Sequence, residues 1–323
     1  MAKFQAIGTN GRDVMYLSMY DAWVAQMQFD GVEYAARGGN DTVYGSTYRG
    51  DIIHGGTGWD ELFGLGGNDT LHGGDDNDTL NGGSGADTLY GDAGQDTLIG
   101  GAGNDKLFGG ADVDAASYES ETGFVTVNLE TGIATVTKNG FIVDRDTLAE
   151  IENVAAGSGG SLLIGNAEDN GLFGGRSGDT LKGGAGDDSL EGRGGNDVLE
   201  GGSGIDALMG GGGTDRFVFG ADSWADGNGN TDSIWDFGVG ASHPEQLDLR
   251  GLLRNETNFA GSTYAQAVAQ GYLLVQDGTN FNGNDGVNVY IDPTGGADGL
   301  NAYGVVFLDN VTAASLSSAN FIV

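Results

Sequence analysis

The chain has 323 residues, of which 64 are glycine and only 2 are proline, and its 47 acidic residues against 13 basic ones give a net charge of −34. A chain this acidic is not expected to bind nucleic acid or an anionic membrane surface, so its charge favours a hard, oxygen-preferring cation as partner. The absence of cysteine excludes disulfides, thiolate metal sites and cysteine nucleophiles, and no stretch approaches the roughly 20 apolar residues of a membrane-spanning helix.

The N-terminal segment, residues 1–44, combines degenerate repeat units with a stretch of different character. Residues 17–36 interrupt the units and place Met19, Trp23 and Met27 at helical spacing. We expect this stretch to cover the open end of a stack of strands, and a self-association surface is the alternative. Because the N-terminus lacks the continuous apolar core and small-residue cleavage site of a signal peptide, we expect export without a cleaved leader.

From residue 46 onward the chain repeats every nine residues. Clean copies are GGTGWDELF (55–63), GGSGADTLY (82–90) and GGAGNDKLF (100–108). An aspartate recurs in phase through a first block, 45–116, and again through a second block, 157–219, and an apolar residue follows each aspartate by two. The periodic aspartates are Asp51, Asp60, Asp69, Asp78, Asp87, Asp96, Asp105 and Asp114, and then Asp179, Asp188, Asp197, Asp206 and Asp215.

Each nine-residue unit joins a tight turn to a short strand. The G-G-x-G-x-D half adopts positive φ without strain, and the x-U-x half, where U is apolar, points its middle side chain inward. Two units then make one turn of a parallel coil with two sheets back to back, and the turns must stack because none buries its leucine alone. Stacking brings aspartates to about 4.8 Å, where like charges repel, and Ca²⁺ suits a site of carboxylates and loop carbonyls better than Mg²⁺.

These units resemble the RTX (repeats-in-toxin) calcium-binding nonapeptide. The resemblance implies an all-β fold, a parallel β-roll of GGxGxDxUx nonapeptides in two blocks, with roughly ten Ca²⁺ ions held by the aspartate at position six and by carbonyls of positions one to four. Besides the periodic aspartates, the ligands that the resemblance implies are Gly55, Gly58, Gly64, Gly67, Gly73, Asp76, Gly82, Gly85, Gly91, Gly94, Gly100, Gly103, Gly183, Gly186, Gly192, Gly195, Gly201 and Gly204.

Several units depart from the template. Asp76 and Asp112 replace the glycine at position four, which we expect to distort those loops or to add a ligand. Ser161 and Asn170 occupy the first two aspartate positions of the second block, so we expect these half-turns to bind metal weakly or not at all. Asp41 fits the template but lies one residue out of phase with the first block.

A spacer, residues 117–156, separates the two blocks. Alternating apolar residues and the turn signal Asn139-Gly140 predict β-hairpins. Its pattern, ASY…VTVNLETG…DTLAEIENV, resembles a spacer found between RTX blocks. We expect hairpins packed on the roll without chemistry of their own.

The glycine rhythm stops after Phe219, and residues 220–323 form a β-rich C-terminal domain in our prediction. Its start, DSIWDFGVGASHPEQLDLRGLL (232–253), resembles the C-terminal target region of type I secreted proteins. That resemblance implies the type I secretion apparatus as a partner and an uncleaved export signal. The signal residues would be Asn320, Phe321, Ile322 and Val323, with asparagine where many such substrates carry an acidic residue.

Two further loops place oxygen-bearing side chains on every second residue, as calcium loops do. The first comprises Asp226, Asn228, Asn230 and Asp232, and the second Asn280, Asn282 and Asn284. Turn formation by asparagine is the alternative explanation for both.

Nothing in the sequence predicts catalysis. The motifs H-E-x-x-H and G-x-S-x-G are absent, and no segment remains for a separate catalytic domain. His54 and His72 share position nine two units apart, so we expect them to stack, either at solvent-facing strand ends or as a metal or pH-sensitive pair.

We therefore predict a non-enzymatic, extracellular or cell-surface protein that folds on Ca²⁺ outside the cell and acts as a structural, surface-layer, matrix or adhesive component, with self-association or extracellular polysaccharide among its partners. The alternative is a carbohydrate-acting or carbohydrate-binding module of a polysaccharide-modifying system.

Overall fold

The computed structural model describes residues 4–16, 32–220, 232–238, 245–255, 264–269, 273–279, 285–291 and 303–323. Strands dominate these residues, and the chain divides into two compact units, 1–157 and 158–323. Most of the predicted capping stretch, including Met19, Trp23 and Met27, lies outside the described residues, as do the 280–284 loop and all but Asp232 of the 226–232 loop.

In the first unit, successive strands alternate between two sheets, as the nine-residue repeat predicts. The first sheet contains β1 (Phe4–Ile7), β3 (Val32–Gly38), β5 (Ile52–Thr57), β7 (Thr70–Asp75), β9 (Thr88–Ala93) and β11 (Lys106–Ala111). The second contains β2 (Val14–Tyr16), β4 (Thr42–Tyr44), β6 (Glu61–Phe63), β8 (Thr79–Ser84), β10 (Thr97–Ala102) and β12 (Ala115–Ser117). Neighbouring strands are parallel, and from β5 onward in the first sheet and β6 onward in the second they pair residues 18 positions apart, as in His54 with His72. The predicted parallel β-roll is therefore confirmed.

The core of this roll is a stack of leucines from position eight. Leu62, Leu71, Leu80 and Leu89 are each 0 % exposed, while their strand neighbours at positions seven and nine face outward. Burying one such side chain contributes roughly 1.5–3 kcal/mol, and each leucine depends on the turns above and below for its cover.

One extra residue in the loop between Tyr44 and Asp51 explains why Asp41 is out of phase in the sequence. Strands β4 and β6 pair at an offset of 19 residues, with Val43 opposite Leu62. The Ser46 backbone N–H donates to Asp51 Oδ2 at 2.6 Å, so the loop absorbs the insertion and Asp41 stays in step with its neighbours.

The spacer differs from the hairpins that we expected to pack on the roll. Strands β13 (Phe124–Asn128), β14 (Ile133–Lys138) and β15 (Phe141–Ala149) are antiparallel, but the end of β15 pairs in parallel with β11, Leu148 lying opposite Leu107. Strand β16 (Asn153–Ala155) likewise pairs in parallel with β12. The spacer therefore extends both sheets, because its D-T-L sequence retains the D-x-U half of the repeat.

The second unit repeats the two-sheet arrangement. Its first sheet contains β17 (Ser161–Ile164), β19 (Thr180–Ala185), β21 (Val198–Ser203), β23 (Arg216–Val218), β25 (Gln246–Asp248) and β29 (Phe321–Ile322). Its second contains β18 (Gly171–Phe173), β20 (Ser189–Glu191), β22 (Ala207–Met209), β24 (Asp232–Ile234), β28 (Tyr303–Asp309), β27 (Asp285–Ile291) and β26 (Leu273–Thr279).

The C-terminal domain is β-rich, as predicted, and adds two short helices, α1 (Arg250–Asn255) and α2 (Tyr264–Ala269). Strand β27 pairs in antiparallel fashion with β26 on one side and with β28 on the other. In the part of the chain that the structure describes, no helix combines the length and apolarity needed to cross a membrane.

Candidate calcium-binding sites

In each block the periodic aspartates form two rows of hydrogen bonds, each linking residues one full turn apart, and we call these rows together the aspartate ladder. One carboxylate oxygen, Oδ1, accepts the backbone N–H of the aspartate one turn earlier: Asp78 Oδ1 from Asp60 at 2.7 Å, and Asp96 Oδ1 from Asp78 at 2.7 Å. All the predicted block aspartates are at most 2 % exposed. Their burial follows from the repeat, because position six faces the same interior as the leucine at position eight.

The second carboxylate oxygen, Oδ2, is buried and has no hydrogen-bond partner among the described residues at most rungs. These rungs are Asp41, Asp60, Asp78, Asp87, Asp96, Asp105, Asp114, Asp188, Asp197, Asp206 and Asp215. Burying an unsatisfied carboxylate oxygen is costly, so a row of them indicates a ligand. Two rungs differ, since Asp51 Oδ2 accepts from Ser46 and Asp179 Oδ2 from the Gly175 N–H at 2.7 Å.

The glycine at position one leaves the space into which these oxygens point. A Cβ added to Gly82 would lie 2.5 Å from Asp87 Oδ2 and 2.7 Å from the Gly100 carbonyl oxygen, one turn further along. The cradle is thus bounded by a carboxylate oxygen and by a backbone carbonyl oxygen, and Ca²⁺ takes ligands of both kinds. The residues present fit the ion that the repeat implies.

Burial raises the pKa values of the ladder carboxyls. Desolvation, reinforced by the neighbouring carboxylates of Asp60 and Asp96, raises the pKa of Asp78 to about 8, although the Asp60 N–H opposes the shift. Desolvation likewise raises the pKa of Asp188 to about 7. Without a cation, protons neutralise these buried carboxylates, and a bound cation neutralises them in place of the protons.

Position five carries a second ladder that the sequence analysis did not identify. Asn68 Oδ1 accepts the Ala86 N–H at 2.9 Å, and Asn77 Oδ1 accepts the Gln95 N–H at 3.0 Å. The recurring Gly-Asn-Asp triplets were the available signal. These amides fix the spacing of the loops and leave the aspartates free to bind.

The departures from the template keep several of its structural features. Asp76 and Asp112 have φ of 76° and 77° and so keep the positive φ that glycine adopts at position four of other units. The distortion or additional ligand that we expected at these loops stays a prediction. Ser161 Oγ donates to Asp179 Oδ1 at 2.8 Å and the Asn170 N–H donates to Asp188 Oδ1 at 2.8 Å, so both replacements preserve the ladder without a charge. Their weak metal binding stays a prediction.

The ladder extends beyond the residues predicted from the strict period. Asp13 donates its backbone N–H to Asp41, Asp105 to Asp146 Oδ1 at 2.9 Å, and Asp114 to Glu152 at 2.8 Å. Asp13 and Asp41 fit the repeat template in the sequence, whereas the long insertion of the spacer hides the rungs at Asp146 and Glu152.

In the second unit, Asp232 Oδ1 accepts the Asp206 N–H at 2.9 Å and so forms a further rung. The other members of its predicted calcium loop, Asp226, Asn228 and Asn230, lie outside the described residues.

The C-terminal residues of the predicted export signal are part of the fold. Asn320 is 2 % exposed and its Nδ2 donates to the Glu245 carbonyl at 3.1 Å, while Phe321 pairs with Leu247 in β25. Their role in export stays a prediction.

His54 and His72 stack as predicted, with ring centroids 4.9 Å apart. The row continues through Tyr90 at 4.5 Å and Phe108 at 4.9 Å, and His72 Nδ1 lies 3.2 Å from Asp92 Oδ2.

Comparison with known protein families identifies the repeats of both blocks. The family model of the RTX calcium-binding nonapeptide repeat matches four times, at residues 54–89, 81–115, 173–208 and 191–223. No curated protein matches the chain. Among solved structures, extracellular lipase LipA from Serratia marcescens is similar at 17 % identity and a TM-score of 0.29 over 80 % of this chain, which spans 40 % of the lipase. The chain carries RTX calcium-binding nonapeptide repeats in both of its blocks.

Proposed function

We propose that this protein is a secreted, non-enzymatic calcium-binding protein whose folding is driven by Ca²⁺ outside the cell, and that it serves as an extracellular structural or adhesive component. The row of buried Oδ2 atoms without hydrogen bonds carries this proposal, because a fold that buries so many carboxylates is stable only when their charge is balanced. RTX repeat proteins are typically secreted, which supports the extracellular setting.

Folding and binding are coupled through the ladder. At the low calcium concentration of a cytoplasm, the carboxylates repel one another and keep the chain extended, a form suited to passage through a secretion channel. Calcium, when bound, supplies positive charge and accepts carboxylate and carbonyl oxygens as ligands. The aspartates then stack at strand spacing, and their N–H and Oδ1 groups lock each turn to the next.

Sedimentation velocity on chelator-stripped protein, before and after addition of millimolar Ca²⁺, tests this proposal. We expect the slowly sedimenting, extended monomer to become compact when Ca²⁺ is added. If the protein also self-assembles, Ca²⁺ should produce large species that a chelator dissociates. A sedimentation coefficient that does not change with Ca²⁺ contradicts calcium-driven folding. Magnesium at the same concentration is the control, since it favours a stricter octahedron and gives up water reluctantly.

Carbohydrate binding is the second candidate, and one pocket of the first unit favours it. Trp59, which is 63 % exposed, lines a pocket of about 290 Å³ together with Arg12, Asn40, Asn77 and Glu61. An exposed indole beside amide, guanidinium and carboxylate groups offers a stacking surface and hydrogen bonds to a sugar ring.

Titration of the calcium-loaded protein with acidic oligosaccharides, followed by isothermal titration calorimetry, tests this candidate. Binding that is lost in Trp59→Ala but retained in Trp235→Ala, an exposed tryptophan of the second unit, supports it. Equal affinity in both variants contradicts a sugar site at Trp59.

A further inference from the structure

A cluster of three buried carboxylates lies where the spacer rejoins the roll. One carboxylate oxygen from each of Asp105, Asp144 and Asp146 lies within 4.8 Å of the others, and the three residues are only 2 %, 5 % and 1 % exposed. Only Asp105 belongs to the nine-residue repeats; the other two come from β15, which returns to the roll after the hairpin. The spacer therefore supplies two of the three carboxylates of the cluster.

Two of these residues have buried oxygens with no hydrogen bond. Asp105 Oδ2 and Asp144 Oδ1 have no partner among the described residues, whereas Asp144 Oδ2 accepts the Gly103 N–H at 3.3 Å. None of the three carboxylates forms an ion pair with any described basic residue; Lys138, on the neighbouring strand, pairs instead with Glu121 at 2.9 Å. Three carboxylates this close in a buried site repel strongly unless a cation or a proton joins them.

Asp146 is held in a fixed orientation by the ladder and by an aromatic side chain. Its Oδ1 accepts the Asp105 N–H at 2.9 Å, and its Oδ2 accepts the hydroxyl of the buried Tyr118 at 2.9 Å. Asp144 lies two residues earlier, at position four of the unit, where most repeats have glycine. A carboxylate thus enters the cluster from a position that carries no side chain in most other loops.

We propose that Asp105, Asp144 and Asp146 form a divalent-cation site for Ca²⁺ that fastens the spacer hairpin to the roll. This inference rests on the proposed calcium-driven folding. Since it offers three carboxylates where a repeat loop offers fewer charged ligands, the site binds more tightly than the repeat sites, because calcium affinity rises with the number of charged ligands and with rigidity. Calcium then orders the hairpin together with the first block.

The number of Ca²⁺ ions bound to the full chain, measured by equilibrium dialysis and metal analysis, tests the site. We expect Asp144→Asn to bind one ion fewer than the unsubstituted protein, and Glu130→Gln, an exposed carboxylate of the spacer, to bind the same number. If Asp144→Asn binds as many ions as the unsubstituted protein, the carboxylates share a proton and the site is refuted. If the unsubstituted protein does not fold on Ca²⁺, followed by far-UV circular dichroism, the proposed function itself fails.

Terbium luminescence provides a second test that does not depend on the folding of an aspartate variant. Tb³⁺ replaces Ca²⁺ in oxygen sites, and an ion in this cluster would lie beside the Tyr118 ring. We expect the first equivalent of Tb³⁺ to give tyrosine-sensitised emission that falls by more than half in Tyr118→Phe, with the same amount of ion bound. Equal emission from the two proteins at one equivalent overturns the assignment.

Discussion

At the scale of single residues, the two oxygens of each ladder aspartate have different roles. Oδ1 completes the backbone hydrogen bonding of the preceding turn, and Oδ2 faces the cradle beside the glycine of position one. Position one of these loops requires glycine because a methyl group there would fill the space that a ligand occupies. Position three, by contrast, tolerates alanine, serine and threonine because a side chain there has space.

Two glycines of one loop test this distinction. A Cβ at Gly210 would lie against Asp215 Oδ2, whereas a Cβ at Gly212 would meet only the Arg193 carbonyl oxygen at 3.8 Å. We expect Gly210→Ala to lower the stability of the calcium-loaded protein by about 1–3 kcal/mol and to weaken calcium binding, and Gly212→Ala to change stability by less than about 1 kcal/mol. Thermal unfolding in calcium measures both, and equal losses would contradict the cradle.

The raised pKa values of the ladder carboxyls predict how the metal-free protein responds to pH. Between the pKa of the unfolded chain, about 4, and its raised pKa in the fold, a ladder carboxyl is protonated only when folded. The fold therefore has its full stability, relative to alkaline pH, below about pH 4. That stability is lost as the pH rises through about 6 for Asp60 and about 8 for Asp78. We expect chelated protein to show more strand signal by circular dichroism at about pH 5 than at about pH 8.

Calcium reverses this dependence, because protons compete with the ion for the same oxygens, so the calcium midpoint should rise as the pH falls. Asp78→Asn, which stays neutral, should show a weaker dependence of the metal-free signal on pH. A chelated protein that is more structured at high pH would refute the argument.

At the scale of strands and turns, the repeat predicts most of the architecture and the insertions conceal the rest. Periodicity predicted the parallel pairing and its offset, because position eight must be covered by the next turn. It did not predict that β15 adds to the first sheet and β16 to the second, because 41 residues separate Asp105 from its partner Asp146. The same limit hid Asp144 and Glu152, because their roles follow from which strand lies beside them.

Strand β15 provides a matched pair of substitutions for its role as part of the roll. Leu148 is 7 % exposed and pairs opposite Leu107, whereas Ile142 in the same strand is 63 % exposed. We expect Leu148→Ala to cost about 2–5 kcal/mol of unfolding free energy, and Ile142→Ala to change it by less than about 0.5 kcal/mol. Denaturant unfolding in saturating calcium measures both values. Similar effects would mean that the end of β15 is not buried against the roll.

At the scale of the whole molecule, we expect charge and stacking together to make folding cooperative. The net charge is −34, and about ten Ca²⁺ ions would offset about 20 of these negative charges. Each turn depends on its neighbours for both its leucine cover and its ladder hydrogen bonds. A lesion in the middle of a block therefore affects more sites than one at its end.

Two ladder substitutions test this cooperativity in calcium titrations followed by circular dichroism. Asp87 lies in the middle of the first block, with its N–H donated to Asp105 Oδ1 at 2.8 Å, whereas Asp13 lies near the N-terminus. We expect Asp87→Asn to raise the calcium midpoint several-fold and to make the transition less steep, and Asp13→Asn to have little effect. Equal shifts for both variants would show that the turns bind independently.

This chain contains insertions at two places: the loop before Asp51 has one extra residue, and a hairpin separates Asp105 from Asp146. These two places show which changes in the length of the gene the fold can accept. Duplication of eighteen codons adds a complete turn and leaves every side chain on its own face. Duplication of nine codons exchanges the two faces beyond the insertion, so that the row containing His54 and His72 would be divided between them. Insertions confined to a loop or hairpin escape this rule, since both ends return to adjacent strands. Length variation should therefore accumulate in whole turns and in loops, while half-turns are counter-selected wherever a face is functional.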